Sequence, residues 1–274
     1  MRRLACLGAL LFALLPVAAL AGGGGHPVPV TECGQLVPAG RTGVLMHDLV
    51  CGRVPVWPFS PTGVILDGEA TLELNGFSIT GTADKSGVGV GGFEQNGGHR
   101  LRYRVRGPGE ITGFWAALNA GGHRFVATDV TLRGNGNGME LRKGGAVTLR
   151  NVVASDNDEY GVLATRLRAI DVDASRNGIG GISSGRARLK RVTAEGNGVG
   201  GGIRLGGLRR TGGGRLVDSV ITGNDGMGEG FDVLAYGPLR IRRTECDSVA
   251  VLRRVRPGGT NVIDLLRTLA CPGR

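Results

Sequence analysis

The stretch LRNVVASDNDEYGVLA (149–164) repeats its pattern in AIDVDASRNGIGGISS (169–184) and again in LKRVTAEGNGVGGGIRL (189–205). Two further copies, VATDVTLRGNGNGMEL (126–141) and LVDSVITGNDGMGEGF (216–231), flank these three. Self-similarity at such a period is typical of repeat proteins, in which each copy stacks on the next. The copies share an asparagine that recurs every 20 to 27 residues: Asn135, Asn157, Asn177, Asn197 and Asn224.

Residues that precede each asparagine alternate between small or apolar and polar. The small or apolar positions ten and eight residues back are filled, for example, by Val147 and Leu149 before Asn157, and by Leu167 and Ala169 before Asn177. A period of two indicates strands with one buried face. One unit of about 20 residues cannot bury that face alone, so the repeats predict an all-β solenoid of parallel strands. We expect seven or eight coils over residues 62–244, with the asparagines stacked into a side-chain ladder.

The composition excludes several other classes of protein. The chain has 274 residues, of which 52 are glycine and 12 aromatic, and its formal net charge is +10. Glycine at this level argues against a helix-rich globule, since glycine weakens helix interiors. It shows no three-residue period, and proline is only 11, so the chain is not collagen-like.

The N-terminus has the order of a secretory signal peptide. Arg2 and Arg3 precede an apolar run from Leu4 to Leu20, and a small-residue cleavage site ends at Ala21. Residues 1–21 are therefore predicted to be removed, which leaves an exported protein, secreted or periplasmic. The mature chain contains no transmembrane segment by sequence.

Four cysteines remain after cleavage: Cys33, Cys51, Cys246 and Cys271. They allow three pairings, and the local pairing, Cys33–Cys51 with Cys246–Cys271, is favoured because each bridge closes a loop of about 20 residues. We expect two disulfide-closed caps, at residues 22–61 and 245–274, on either side of the solenoid at 62–244. The segment IDLLRTLA (263–270), within the second cap, has helical spacing.

The opening of the chain resembles a known superfamily. Cys33-Gly34, the stretch His47 to Cys51 and LELNGFSITG (72–81) resemble secreted bacterial proteins with right-handed parallel β-helix repeats, of the pectin-lyase-like superfamily. Glu73 stands where that pattern usually has Asp, and Phe77 where it usually has His. The resemblance implies a right-handed parallel β-helix, but it does not imply one activity, because the superfamily includes lyases, hydrolases, epimerases and binding modules.

Two groups of acidic residues near the asparagine turns are candidate calcium ligands. Calcium requires several convergent oxygen atoms, and resemblance to pectate lyases would place such a site beside a catalytic arginine. The plainer interpretation is that these residues decorate solvated turns. Likewise, Asp171 is expected to pair with Arg191 of the next coil rather than to act in hydrolysis. The candidate ligands are Asp156, Asp158 and Glu159 in the first group, and Asp225, Glu229 and Asp232 in the second.

Basic residues, 30 Arg and 3 Lys, are the strongest indication of function. Many lie seven, nine or eleven residues before their own asparagine, or before the equivalent glycine, Gly113. In a stacked solenoid such residues form columns on one outward sheet face, and Arg240 and Arg242 are expected to continue it. The predicted members are Arg102, Arg104, Arg106, Arg150, Arg166, Arg168, Arg186, Arg188, Lys190 and Arg215.

A face of this kind attracts polyanions, and arginine binds carboxylate or sulfate through a bidentate fork. The sequence therefore favours a non-catalytic envelope or extracellular module that binds acidic polysaccharide or lipopolysaccharide and requires no cofactor. Nucleic acid is disfavoured because the protein is exported and poor in aromatic residues. Two other functions stay open: a calcium-dependent polysaccharide lyase and a structural repeat protein without ligand. It also stays open that the abundance of arginine reflects only genome composition.

Overall fold

The computed structural model describes residues 26–52, 62–93, 101–206, 212–224, 231–254 and 263–269. Within these ranges the chain forms strands and turns, and no helix is long and apolar enough to cross a membrane. The strands are β1 (Val28–Val30), β2 (Gln35–Val37), β3 (Thr42–Leu45), β4 (Leu49–Val50), β5 (Thr62–Asp67), β6 (Thr71–Glu73), β7 (Ser78–Thr80), β8 (Val88–Phe93), β9 (Arg102–Arg106), β10 (Glu110–Thr112), β11 (Ala116–Asn119), β12 (Arg124–Thr128), β13 (Thr131–Leu132), β14 (Asn137–Val153), β15 (Tyr160–Asp173), β16 (Gly180–Thr193), β17 (Gly201–Leu205), β18 (Gly213–Val217), β19 (Val220–Ile221), β20 (Val233–Ala235), β21 (Leu239–Arg242), β22 (Glu245–Cys246), β23 (Val249–Arg254) and β24 (Ile263–Leu269).

The strands pair in parallel into three stacks that coil around one axis, which confirms the prediction of an all-β parallel solenoid. Stack A contains β2, β5, β8, β11, β17, β20 and β23. Stack B contains β1, β3, β6, β9, β12, β18 and β21, and stack C contains β4, β7, β10, β13, β19 and β22. The long strands β14, β15 and β16 pass through all three stacks.

The core lies inside the coils, where side chains of alternate residues stack on one another. In stack B the inward column contains the predicted Leu149, Ala169 and Leu189, all buried. Stack A contributes an apolar column of nine residues in register, each almost fully buried. Its members are Val64, Val90, Leu118, Met139, Val162, Ile182, Ile203, Val233 and Val249.

Two bends per coil are formed by single residues in the left-handed region of backbone conformation. Between stacks B and C the bend residue lies six positions before each asparagine, as at Asp171 (φ 55) and Arg191 (φ 51). Before the asparagine itself stands a second such residue, for example Arg176 (φ 54) or Gly196 (φ 59). Both bend residues keep the same distance from the asparagine in every repeat. Residues between the two bends therefore stay in register from coil to coil.

The five asparagines form the predicted ladder and are all buried. Each side-chain amide donates to the side-chain oxygen of the next, at 3.3 Å from Asn135 and at 3.0, 3.0 and 2.8 Å along the following rungs. That oxygen also accepts the backbone N–H of the preceding asparagine, at 3.1 Å for Asn157. The ladder ends at Asp232, whose carboxylate accepts the Asn224 amide at 2.9 Å.

Strand pairing extends beyond residues 62–244 in both directions. Strands β1 to β4 already belong to the three stacks, and the Cys33–Cys51 disulfide joins this first part of the chain, with a Cα–Cα distance of 5.6 Å. Cys246 is buried at 9 % exposure. The signal segment and Cys271, the partner predicted for Cys246, lie outside the described residues.

The helical spacing of residues 263–270 was misleading. Residues Ile263–Leu269 form β24, which pairs antiparallel with β23. Strand β23 is the last described parallel strand of stack A, and without β24 its edge would carry unpaired N–H and C=O groups. Hydrogen bonding to that edge overrides the local periodicity of the segment.

Candidate functional site: the arginine face

The outward side of stack B, from β9 to β21, gathers the predicted basic residues on one surface, here called the arginine face. Strand pairing places Arg104, Arg168, Arg188, Arg215 and Arg240 in one column. These residues alternate with the buried column of the same strands, so their side chains point away from the core. All ten predicted members lie here, Arg102 and Arg104 half-buried and the other eight exposed, and Arg240 and Arg242 continue the face into β21.

Arg124 was missed by the sequence reasoning. It is exposed and pairs with Arg102 of β9 and Ala146 of β14. The signal was present, because Arg124 lies eleven residues before Asn135, which is one of the spacings that define the face.

The arginine face contains a groove of about 880 Å³. Its floor consists of small outward residues on β12 and β14, among them Val126, Thr128 and Thr148. Arginines of β9 lie on one side of this floor and those of β15, β16 and β18 on the other, while Arg124 and Arg150 lie on the floor strands β12 and β14. Arg102, Arg104, Arg106, Arg124, Arg150, Arg166, Arg168, Arg186, Arg188 and Arg215 line the groove.

Most cations of the face have no counterion within the described part of the chain. Arg106 forms an ion pair with Glu73 at 3.0 Å, and Arg166 donates to the carbonyl oxygen of Gly144 at 3.2 Å. For the remaining predicted members, no described carboxylate forms an ion pair. Parallel strands lie about 4.8 Å apart, so neighbouring guanidinium groups repel one another.

Arginines at the bends, by contrast, are paired with carboxylates of the preceding coil. Arg191 contacts Asp171 at 2.5 and 2.7 Å, which confirms the predicted neighbour pair. Its guanidinium holds the pKa of the Asp171 carboxyl below the ordinary value through this hydrogen bond. Arg176 pairs with Asp156 at 2.8 Å and lowers the pKa of that carboxyl in the same way.

The first acidic group is not assembled into a metal site. Besides the Asp156 contact with Arg176, Asp158 accepts both its hydrogen bonds from Lys85, at 2.6 Å, and Glu159 accepts the Asn137 amide at 3.0 Å. No group of three or more His, Cys, Asp or Glu within the described ranges could hold a metal ion. Calcium at Asp156, Asp158 and Glu159, which the sequence left open as an alternative to solvated turns, stays a prediction.

In the second acidic group, Asp232 has a structural position. Its carboxylate is 2 % exposed and accepts the Asn224 amide and the backbone N–H groups of Asp247 and Ser248, at 2.6 and 3.0 Å. The residue therefore ends the asparagine ladder with an acceptor. Asp225 and Glu229, its predicted companions, lie outside the described residues.

No family model, curated protein or solved structure matches this chain. The resemblance to the pectin-lyase-like superfamily therefore stays a prediction.

Proposed function

We propose that this chain is an exported, non-catalytic module that binds an anionic polysaccharide through the arginine face, either in the periplasm or outside the cell. The fold proposed for it is a right-handed parallel β-helix of seven or eight coils, pectin-lyase-like and closed by a disulfide cap at each end. The right hand follows the strong preference of parallel crossover connections. One observation carries the functional proposal: the described bend arginines are ion-paired, whereas the cations of the face, apart from Arg106, form no ion pair with a described carboxylate.

Unneutralised cations at strand spacing lower stability, since like charges oppose one another across neighbouring strands. A bound polyanion relieves that repulsion, and each guanidinium can hold a carboxylate or sulfate in two parallel hydrogen bonds. The partner is an acidic polysaccharide or the acidic saccharide of lipopolysaccharide, met outside the cytoplasm. Nucleic acid is a poorer candidate, because its single-stranded forms are bound by stacking on aromatic side chains, and those are scarce in this chain.

Salt-dependent retention on immobilised polymers tests the proposal. The mature protein is applied to polygalacturonate, alginate, chondroitin sulfate and heparin, and eluted with increasing salt. We compare Arg168→Gln/Arg188→Gln with Arg176→Gln/Arg191→Gln, a control that removes the same charge from paired, exposed bend positions. The face variant should elute at clearly lower salt than the control variant, because salt screens exposed charges. Equal elution of the two variants would refute binding by the face.

The same polymers test whether the protein is instead a lyase. With calcium added, ultraviolet absorbance follows the unsaturated product of β-elimination. We expect no product. Absorbance that rises and is abolished by EDTA would overturn the non-catalytic proposal.

A further inference from the structure

The edge of the arginine face nearest the bend to stack C has a regular alternation of charge. Strand pairing aligns one residue from each of seven successive strands, β9 to β21. Every second member is a cation, and the members between are uncharged. In order, this edge column is Arg106, Thr128, Arg150, Ile170, Lys190, Val217 and Arg242.

The cations of the edge column are therefore separated by two strand spacings, or about 10 Å. An extended polysaccharide advances by a similar distance over two pyranose rings. A polymer that lies along this column thus meets one cation for every two sugars.

Each strand of the edge column, with the bend residue that follows it, is here called a row. The rows whose edge-column residue is uncharged carry a carboxylate at that bend. Asp129 follows Thr128, Asp171 follows Ile170 and Asp218 follows Val217. Asp171 and Asp218 are each held by an arginine of the next row, Arg191 and Arg243 respectively. These alternate rows offer no unpaired cation of the edge column, so a ligand with an anion in every row would leave half of its anions unmatched there.

Avoidance of like-charge contacts between coils does not account for the alternation. In the neighbouring column, Arg168, Arg188, Arg215 and Arg240 lie on four successive strands without interruption. The fold accepts adjacent cations at that position, on the same sheet face and in the same coils. Only the column beside the bend carries its cations in every second row.

We propose that the edge column selects a linear polysaccharide with one anionic group per two-sugar repeat, an inference that rests on the proposed function. The anionic sugar is bound by Arg150, Lys190 or Arg242, since Arg106 is paired with Glu73, and the neutral sugar lies over the residue between. Ile170, Lys190, Val217 and Arg242 line a second groove, of about 360 Å³, together with Arg168, Arg188 and Arg215 of the neighbouring column and Asp218 and Arg243 of the bends. The CH-rich face of a neutral ring suits the half-exposed side chain of Ile170, because both surfaces are apolar, whereas Val217 is buried.

Competition between two polymers tests this selectivity. Hyaluronan carries one carboxylate per two sugars, whereas polygalacturonate carries one on every sugar. A featureless basic surface binds the polymer of higher charge density more tightly. We expect the opposite order, with a lower Kd for hyaluronan at a salt concentration at which both are measurable.

Filling the uncharged rows should reverse the preference. Thr128→Arg/Ile170→Arg places cations in two half-exposed rows and should lower the Kd for polygalacturonate about two- to fivefold per added cation. The control is Ser183→Arg/Leu234→Arg, which adds two cations at the same two-strand spacing on the outward side of stack A. Circular dichroism of each variant verifies that it is folded.

The outcomes separate the two proposals. Tighter binding of polygalacturonate by the unaltered protein, or an equal effect of the two double variants, would overturn selection by the edge column and leave binding by the face intact. Retention of neither polymer would overturn both.

Discussion

Replacement of Asn177 by alanine removes the central rung of the buried ladder. Its side-chain oxygen accepts the Asn157 backbone N–H at 3.1 Å and the Asn157 side-chain amide at 3.0 Å, and its own amide donates to Asn197 at 3.0 Å. The side-chain amide of Asn157 keeps its bonds to the carbonyl oxygens of Leu132 and Ser155. Its backbone N–H, however, is left buried without an acceptor.

An unsatisfied buried donor costs about 1–3 kcal/mol, and each of the two other lost hydrogen bonds about 0.5–1.5 kcal/mol. Asn177→Ala should therefore lower the free energy of unfolding by about 2–6 kcal/mol. The measurement is denaturant unfolding followed by circular dichroism. Asn119→Ala is the control, because it deletes a single half-exposed contact to the Gly121 backbone N–H and should cost less than about 1 kcal/mol. Equal losses in the two variants would refute a stabilising role for the ladder.

Three further predictions concern charge, the disulfide and backbone packing. Arg191 lowers the pKa of Asp171, so their pairing stabilises the fold above the ordinary aspartate pKa, and this stabilisation is lost as the pH falls through the lowered pKa. In the Arg191→Gln variant, NMR titration should show a higher pKa for Asp171. An unchanged pKa would contradict the ion pair as the cause. Cys33→Ser opens the bridge described above and should cost roughly 3 kcal/mol of unfolding free energy, so a loss below about 1 kcal/mol would contradict a cross-linking role. Gly178→Ala should lower the melting temperature, because a Cβ there would overlap a carbonyl oxygen of the preceding coil. Gly52→Ala is the control and should leave the melting temperature unchanged, because the space around Gly52 is open. Equal melting temperatures of the two variants would rule out a close contact between Gly178 and the preceding coil.

Much of the fold could be predicted from the sequence because one constraint repeats in it. The asparagine must return to the same turn in every coil, so residues counted back from Asn157 or Asn177 fall at equivalent positions of the strands. This count found the buried columns and the arginine face. It also found the contact between Asp171 and Arg191, since residues with equal counts lie side by side.

Features outside the repeat could not be found in this way. Asp232 ends the ladder from a position eight residues after Asn224, and no spacing in the other copies marks it. Strand β24 depends on the free edge of β23, which no local pattern reveals. The alternation in the edge column, by contrast, lies within the repeat, because six of its seven members stand seven residues before Gly113 or a ladder asparagine, and the same count could have revealed it.

Side-chain footprinting of the arginines is the most direct measurement of the central claim, that an anionic polysaccharide binds the arginine face. The protein is treated with phenylglyoxal with and without chondroitin sulfate, and modification at each arginine is measured by mass spectrometry. We predict that the polymer protects Arg168, Arg188 and Arg215 and leaves the modification of Arg133 and Arg176, which are paired with carboxylates at the turns, unchanged. Uniform protection of all five, or protection of the two paired arginines alone, would contradict the claim.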